Sequence, residues 1–323
     1  MMDYTRLGST GLTVSRIALG CMSYGDAGAG HHPWALDEDT AQPFYRQAVE
    51  LGITLWDTAN VYSHGTSEEF MGRAIRRYAS RESIVVSTKL AGKMDDGPGG
   101  VGLSRKAIFE QVDASLTRLG TDYVDLYQIH RFDPNTPVEE TIEALHDIVK
   151  AGKVRYLGAS SMYAWQLAKL QTAAAVHGWT PFVSMQDQYN LLKREEEREM
   201  LPLCADLGMG VIPYSPQAKG RLTRPSGSQT ARTSVDTISP KFDSPLDDPI
   251  VNAVKAVAEK RGVSMATIAV AWLLGRPGVT APIVGATKAH HLGEAVAALD
   301  VALTPDELDA VESPYVTQPP FWI

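Results

Sequence analysis

Four residues of different chemistry stand near the ends of short apolar runs in the first half of the chain: Asp57, Tyr62, Lys89 and His130. Asp57 closes the run 53–57, Lys89 follows 84–88, His130 follows 124–129, and Tyr62 lies five residues beyond Asp57. A tyrosine loses its proton only near pH ~10, so alone it is a poor acid at neutral pH. A lysine cation beside it favours the phenolate and lowers that value. A buried lysine would itself shed its charge, and an adjacent carboxylate keeps it protonated. A histidine next to the tyrosine can hydrogen-bond a carbonyl oxygen and orient it. Together the four make an acid able to protonate a developing alkoxide, which suits carbonyl reduction by a separate hydride donor. Taken singly, each has a plainer reading: a helix cap or loop ligand for the aspartate, packing for the tyrosine, a solvated charge for the lysine, a structural role for the histidine. Only together, at one mouth, do the four point to chemistry.

The rest of the chain predicts the scaffold that would gather them. Eight β-rich runs, 17–20, 53–57, 84–88, 124–129, 155–160, 183–188, 210–214 and 281–284, alternate with helical patterns. Several are apolar nearly throughout, as strands covered on both faces are. In 104–119 the apolar positions Ile108, Val112, Leu116 and Leu119 recur at helical spacing before Gly120. Thr136-Pro137-Val138-Glu139 and Thr304-Pro305-Asp306-Glu307 both carry the letters of a capping box. Strand–helix alternation at this pitch predicts parallel strands with right-handed crossovers, and eight units fit an α/β fold of the (β/α)8 TIM barrel type. The segment 4–15 reads as an N-terminal β-hairpin turning at Gly8-Ser9-Thr10-Gly11. A long loop, 216–249, rich in Ser, Thr, Pro, Asp and Gly, follows the seventh strand on the face where barrel active sites sit. No hinge or repeat divides the chain, so 1–323 is expected to be a single domain.

Composition narrows the function classes. With 44% hydrophobic and 21% charged residues the chain is neither disordered nor fibrous. A net charge of −8 without a basic block argues against nucleic acid or an anionic membrane as partner. Two cysteines without metal spacing, no signal-like apolar start and no membrane-length apolar stretch predict a cytoplasmic protein. Gly97-Pro98-Gly99-Gly100-Val101-Gly102 fits a dinucleotide fingerprint by letters, but it does not follow its strand directly, and Asp95-Asp96 would repel a pyrophosphate. The pairs His31-His32 and His290-His291 have no Cys or carboxylate completing a ligand set, and no metal is expected.

The segment Asp57-Thr58-Ala59-Asn60-Val61-Tyr62-Ser63-His64-Gly65-Thr66-Ser67-Glu68 resembles the signature of the aldo-keto reductases, D-T-A-x-x-Y followed by G-x-S-E. Arg6-Leu7-Gly8, Gly11-Leu12-Thr13-Val14-Ser15 and Gly20-Cys21-Met22 extend the likeness to the opening hairpin and first strand, and the branch is similar to bacterial reductases related to aryl-alcohol dehydrogenases. The resemblance implies a catalytic tetrad of Asp57, Tyr62, Lys89 and His130, and NADPH/NADP+ as cofactor, with NADH weaker. It implies cofactor contacts from Gly20, Cys21, Met22 and Asp57. Ser160 and Ser161 fall on the pair that holds the nicotinamide carboxamide, with Ser161 replacing the usual Asn, and Gln186 also orients that group. Tyr214 falls on the aromatic that stacks on the nicotinamide. Ser215, Pro216, Gln217, Gly220 and Arg221 fall on the pyrophosphate loop. Gly285, Thr287, Lys288, His291 and Glu294 fall on the adenosine side, where Lys288 would meet the 2′-phosphate as a point charge.

The partner is expected to be a small carbonyl or alcohol substrate. Tyr24, Trp34, Leu90, Arg131, Phe132 and the tail Phe321-Trp322 are candidate pocket walls, the aromatics suiting a flat carbonyl and Arg131 an anionic group. Two other readings stand beside the reductase: an NADPH-binding redox sensor resembling potassium-channel β-subunits, and a metal-dependent barrel hydrolase or isomerase. Oligomeric state and substrate identity are not encoded in these residues.

Overall fold

The computed structural model describes residues 1–29, 32–97, 99–228 and 244–318. His31, residues 229–243 of the long loop, Phe321 and Trp322 lie outside the described residues. The opening hairpin pairs β1 (Tyr4–Arg6) with β2 (Thr13–Ser15) antiparallel. Eight parallel strands follow: β3 (Ala18–Gly20), β4 (Leu55–Asp57), β5 (Val85–Leu90), β6 (Val124–Ile129), β7 (Val154–Ser160), β8 (Phe182–Gln186), β9 (Gly210–Val211) and β10 (Ile283–Gly285). Their order is β10-β3-β4-β5-β6-β7-β8-β9. Parallel bridges Val211–Val279 and Tyr214–Ile283 join the two ends, and the Ile283 amide donates to the Pro213 carbonyl at 2.8 Å. This is the (β/α)8 barrel that strand–helix alternation predicts.

The helices α1 (Glu38–Glu50), α2 (Thr66–Tyr78), α3 (Arg105–Leu119), α4 (Val138–Lys150), α5 (Ala164–His177), α6 (Met200–Asp206), α7 (Asp248–Arg261), α8 (Met265–Leu274), α9 (His290–Ala297) and α10 (Pro305–Glu312) alternate with the strands or follow them. Ser104 caps α3 by accepting from the Ala107 amide, and Gly120 ends it at φ 65°. The two capping boxes differ in outcome. Thr304 and Glu307 form theirs at the start of α10. Thr136 does not: its hydroxyl donates to Asp133 Oδ2 at 2.7 Å, and α4 starts behind Pro137 without a side-chain cap. The charge-assisted bond turns the Thr136 side chain toward Asp133, and the helix starts one residue later than the capping pattern places it, with Pro137 at its N-cap. Part of the expected loop 216–249 is ordered into turns, one at Ala218–Thr223 and one at Pro245–Asp247 that leads into α7.

Side chains alternate across each strand, which sorts them into two cores. One face turns out to the helices: Trp56, Val86, Tyr127, Ile129, Leu157 and Met185 pack there. The other lines the barrel. Its lower layer is apolar, where Ala18, Leu55, Val85, Leu126, Ile212 and Ala281 cluster with Leu7 and Val14 of the hairpin segment. Two residues further along the same inward rows the side chains become polar, and the site begins.

Candidate active site

Asp57 is the hub. Its Oδ2 accepts from Lys89 Nζ at 2.5 Å, and its Oδ1 accepts from Ser87 Oγ, Gln128 Nε2 and Gln186 Nε2, each at 3.0 Å. Four donors on a buried carboxylate fix it in place. Lys89 is fully buried and also donates to the Thr58 carbonyl at 2.8 Å. Burial by itself would lower the Lys89 pKa; Asp57 and then Tyr62 outweigh it and hold the ammonium above its ordinary value. Ser87 and Gln128 went unnoticed in the sequence. Their signal was present: each lies two residues before Lys89 or His130, hence on the same inward row. Gly158 belongs with them, because a Cβ there would sit 2.8 Å from both Gln128 Cγ and Ser184 Oγ.

Tyr62 and His130 close over this hub. Lys89 Nζ lies 5.1 Å from the Tyr62 ring centroid, and the Tyr62 and His130 rings meet edge-on at 5.8 Å. Burial holds the Tyr62 phenol above its ordinary pKa, although Lys89 pulls it down. The lysine pulls in the expected direction, but desolvation of a phenolate outweighs one cation that is itself paired with Asp57. His130 is pushed well below its ordinary value by burial, then by Lys89 and Arg131, so its imidazole is neutral at pH 7.

The turn that carries Tyr62 is strained. Ser63 and His64 adopt left-handed φ values of 45° and 52° before Gly65 at 91°, costing about 1–3 kcal/mol for each non-glycine residue. The rest of the signature holds it. Thr66 Oγ1 donates to the Ser63 carbonyl at 2.9 Å, and Ser67 Oγ donates to the Cys21 carbonyl at 2.9 Å. Buried Glu68 accepts from Thr88 Oγ1 and Arg118 Nε, both at 2.6 Å. Arg118 passes so close beneath Gly65 that a Cβ there would lie 2.5 Å from its Cδ.

The residues matched to a nicotinamide subsite adjoin this hub. Ser160 and Gln186 end neighbouring strands in register. The Ser160 and Ser161 hydroxyls are 3.3 Å apart, and Ser161 Oγ donates to the Tyr214 hydroxyl at 3.4 Å. Burial pushes the Tyr214 phenol up to about 12 against the pull of Arg131 and Ser161. Gly20 stands in register between Asp57 and Gly285, the Cys21 amide donates to the Asp57 carbonyl at 2.8 Å, and Met22 is half-buried beside it. Beyond Tyr214 the chain turns through left-handed Ser215, buried Pro216 and the Gln217–Gly220 hydrogen bond of 2.9 Å. Arg221 pairs with Asp248 at 3.2 Å and Asp247 at 3.8 Å. At the end of β10, Thr287 and Lys288 are exposed, and the Thr287 amide donates to His291 Nδ1 at 3.2 Å. Burial, His290 and Lys288 push His291 down to about 4, leaving a neutral ring. Glu294 lies on α9, its carbonyl accepting from Thr267 Oγ1 at 3.1 Å. Paired hydroxyls, an amide, an aromatic ring and an exposed cation are groups that could hold a nicotinamide dinucleotide.

The candidate pocket walls divide. Trp34 packs on His32 at 4.9 Å, and His32 lies 6.4 Å from Tyr62. Arg131 is exposed, with Nη1 donating to the His130 carbonyl at 2.7 Å, and Phe132 contacts Trp165 at 6.1 Å. Tyr24 and Leu90 are not walls. Tyr24 is fully buried, stacked on Phe44 at 5.9 Å and against Tyr45 at 5.1 Å, both of α1. Leu90 follows inward Lys89, so alternation turns it out into the helix-facing core. Among the described residues no group of three or more His, Cys, Asp or Glu side chains is placed to hold a metal ion, and no helix is long and apolar enough to cross a membrane.

Residues 16–315 match the sequence pattern described as the Aldo/keto reductase family. The versiconal hemiacetal acetate reductase of Aspergillus parasiticus is 44% identical over 338 residues, covering 98% of this chain and 97% of that protein. An aldo-keto reductase of Fusarium vanettenii is 44% identical over 345 residues, covering 98% and 92%. A Schizosaccharomyces pombe protein provisionally named an aryl-alcohol dehydrogenase is 42% identical over 342 residues, covering 98% and 96%.

Proposed function

The chain belongs to the aldo/keto reductase family of oxidoreductases, and from that membership we propose that it reduces an aldehyde or ketone to an alcohol with NADPH, Tyr62 giving the proton. The observation that carries this reading is the contact chain Asp57–Lys89–Tyr62–His130, linked at 2.5, 5.1 and 5.8 Å. When bound, the cofactor supplies the hydride for the carbonyl carbon. Ser160, Ser161, Gln186 and Tyr214 hold its nicotinamide, Ser215, Gln217, Gly220 and Arg221 its pyrophosphate, and Thr287 and Lys288 its 2′-phosphate. NADH, lacking that phosphate, binds less well.

The proton chemistry belongs to the protein. Burial keeps the proton on Tyr62 at neutral pH, so the acid is loaded when substrate arrives. Lys89, held charged by Asp57, stabilises the phenolate left behind. Neutral His130 donates an N–H to the carbonyl oxygen and orients it toward Tyr62. The rings of His32, Trp34 and Phe132 near the mouth, together with a relative named for aryl alcohols, support a flat aryl carbonyl as substrate. The test is NADPH oxidation with a panel of aryl aldehydes, dicarbonyls, keto-sugars and keto-acids, with Tyr62→Phe beside the wild type. Wild-type turnover and a variant that binds NADPH but loses most reduction are expected; undiminished turnover in the variant would refute the acid assignment.

A further inference from the structure

Asp187 follows Gln186 at the end of β8, is fully buried, and takes no part in the proton chemistry above. Two of its atoms reach residues that frame the nicotinamide subsite. Its Oδ1 accepts from the Ser161 amide at 3.2 Å, and its main-chain carbonyl accepts from the Tyr214 amide at 2.9 Å. The Ser161 amide is shared with the Gln186 carbonyl, also at 3.2 Å, so the carboxyl adds a second hold on a residue whose φ of 48° is left-handed without being glycine. The two held residues also touch each other, Ser161 Oγ to the Tyr214 hydroxyl at 3.4 Å. A single residue therefore ties the turn after β7 to the turn after β9. Ser161 replaces the family's usual asparagine, so a shorter side chain must be placed well to reach the same ligand.

We propose that the Asp187 carboxyl is a positioning group of the nicotinamide subsite, fixing Ser161 and, through the Ser161–Tyr214 hydroxyl contact, Tyr214 for the cofactor; the proposal rests on the cofactor reading given above. Stability alone does not call for a carboxyl here. Its Oδ2 is buried with no hydrogen-bond partner among the described residues, and an apolar side chain of similar volume would avoid that cost. Four groups from other elements face it: Glu196 on the turn before α6, Cys204 on α6, Arg131 after β6 and Tyr214 after β9. Burial, then Glu196, raises its pKa well above the carboxylate range, against the Ser161 amide and Arg131. Asparagine keeps a side-chain oxygen that can accept from the Ser161 amide, and leucine does not.

The test compares Asp187→Asn and Asp187→Leu with the wild type. Three quantities are measured: NADPH affinity by quenching of tryptophan fluorescence, affinity for 2′,5′-ADP, which lacks the nicotinamide half, and Tm. Asp187→Leu is expected to weaken NADPH about tenfold and to slow kcat by a similar factor, with 2′,5′-ADP affinity unchanged and Tm held or raised. Asp187→Asn should keep NADPH affinity and kcat near the wild-type values. Wild-type NADPH affinity and kcat in Asp187→Leu would overturn the proposal. Equal weakening of NADPH and 2′,5′-ADP, or loss of folding, would also overturn it, since the carboxyl would then serve the fold. Asp187→Asn as impaired as Asp187→Leu would overturn it too. Wild-type protein that fails to take NADPH would instead remove the cofactor reading itself.

Discussion

Lys89→Met separates the electrostatic role of the lysine from its place in the fold. Lys89 Nζ stands 5.1 Å from the Tyr62 ring centroid. At an effective dielectric of ~20, unit charges at that separation interact by roughly 3 kcal/mol, about two orders of magnitude in the phenolate equilibrium. The proton is only partly transferred in the transition state, so kcat should fall by about 10- to 100-fold. NADPH affinity should change little, because Lys89 is buried behind Tyr62 and bonded to Asp57 and Thr58. Stability should also fall, since removing one partner of a buried pair typically costs about 3–5 kcal/mol. The loss should lie at the low end, because Ser87, Gln128 and Gln186 still donate to Asp57. The double variant Asp57→Asn/Lys89→Met removes both charges and should recover Tm relative to Lys89→Met without recovering kcat. Steady-state NADPH oxidation, NADPH titration and thermal melts on the three proteins are the assay. A Lys89→Met kcat near the wild-type value, or a double variant that regains activity with stability, would refute the tuning role.

Four further outcomes follow from the same geometry. Because His130 is held neutral well below its ordinary value, the acid limb of the kcat/KM profile should lie below pH ~6.5, and a limb at or above that value would show a charged imidazole. The same shift makes the unfolded chain bind the extra proton more readily. Stability from this group is therefore full above pH ~6.5 and declines as pH falls toward the folded value, which melts across that range would follow. Lys288→Ala should weaken NADPH more than NADH, and the NADPH effect should shrink with added salt, as expected of an exposed point charge; equal effects on both cofactors would remove the 2′-phosphate role. Gly158→Ala should cost about 1–3 kcal/mol by overpacking and lower kcat by displacing Gln128 from Asp57, whereas an unchanged melt would mean that Gln128 and Ser184 can yield.

Most of the scaffold was legible from period and punctuation. Each of the eight runs overlaps a strand of the barrel, with shifts of only a few residues at their ends. The exceptions have local causes. The run 210–214 shrinks to the two residues of β9, because Pro213 cannot donate to a neighbour and closure passes to isolated bridges. The Thr136 side chain turned to Asp133, three residues upstream and outside any capping pattern, and α4 starts one residue late behind Pro137. Leu90 was readable in principle: once Lys89 is placed inward, its neighbour must face outward, and the same parity would have found Ser87 and Gln128. Tyr24 was not readable, since the course of the loop after β3, not a repeat, lays its ring on α1.

The protonation of Tyr62 lay furthest beyond the sequence, and it bears most on mechanism. Residue types alone place a cation near a phenol and so imply a lowered pKa. Burial acts in the opposite sense, and nothing in the motif weighs the two. In the folded barrel burial is the larger effect; Lys89 pulls the other way, and Asp57, paired with Lys89 at 2.5 Å, adds to burial. The result suits an acid better than the motif-level expectation does. A phenol depressed toward neutrality would be partly deprotonated before substrate arrived, and each deprotonated enzyme molecule would be idle. A phenol held neutral by burial is fully loaded, while the cation 5.1 Å away still lowers the energy of the phenolate once the proton has left. The ion pair thus acts chiefly on the state that forms during the reaction, as interactions that raise kcat must.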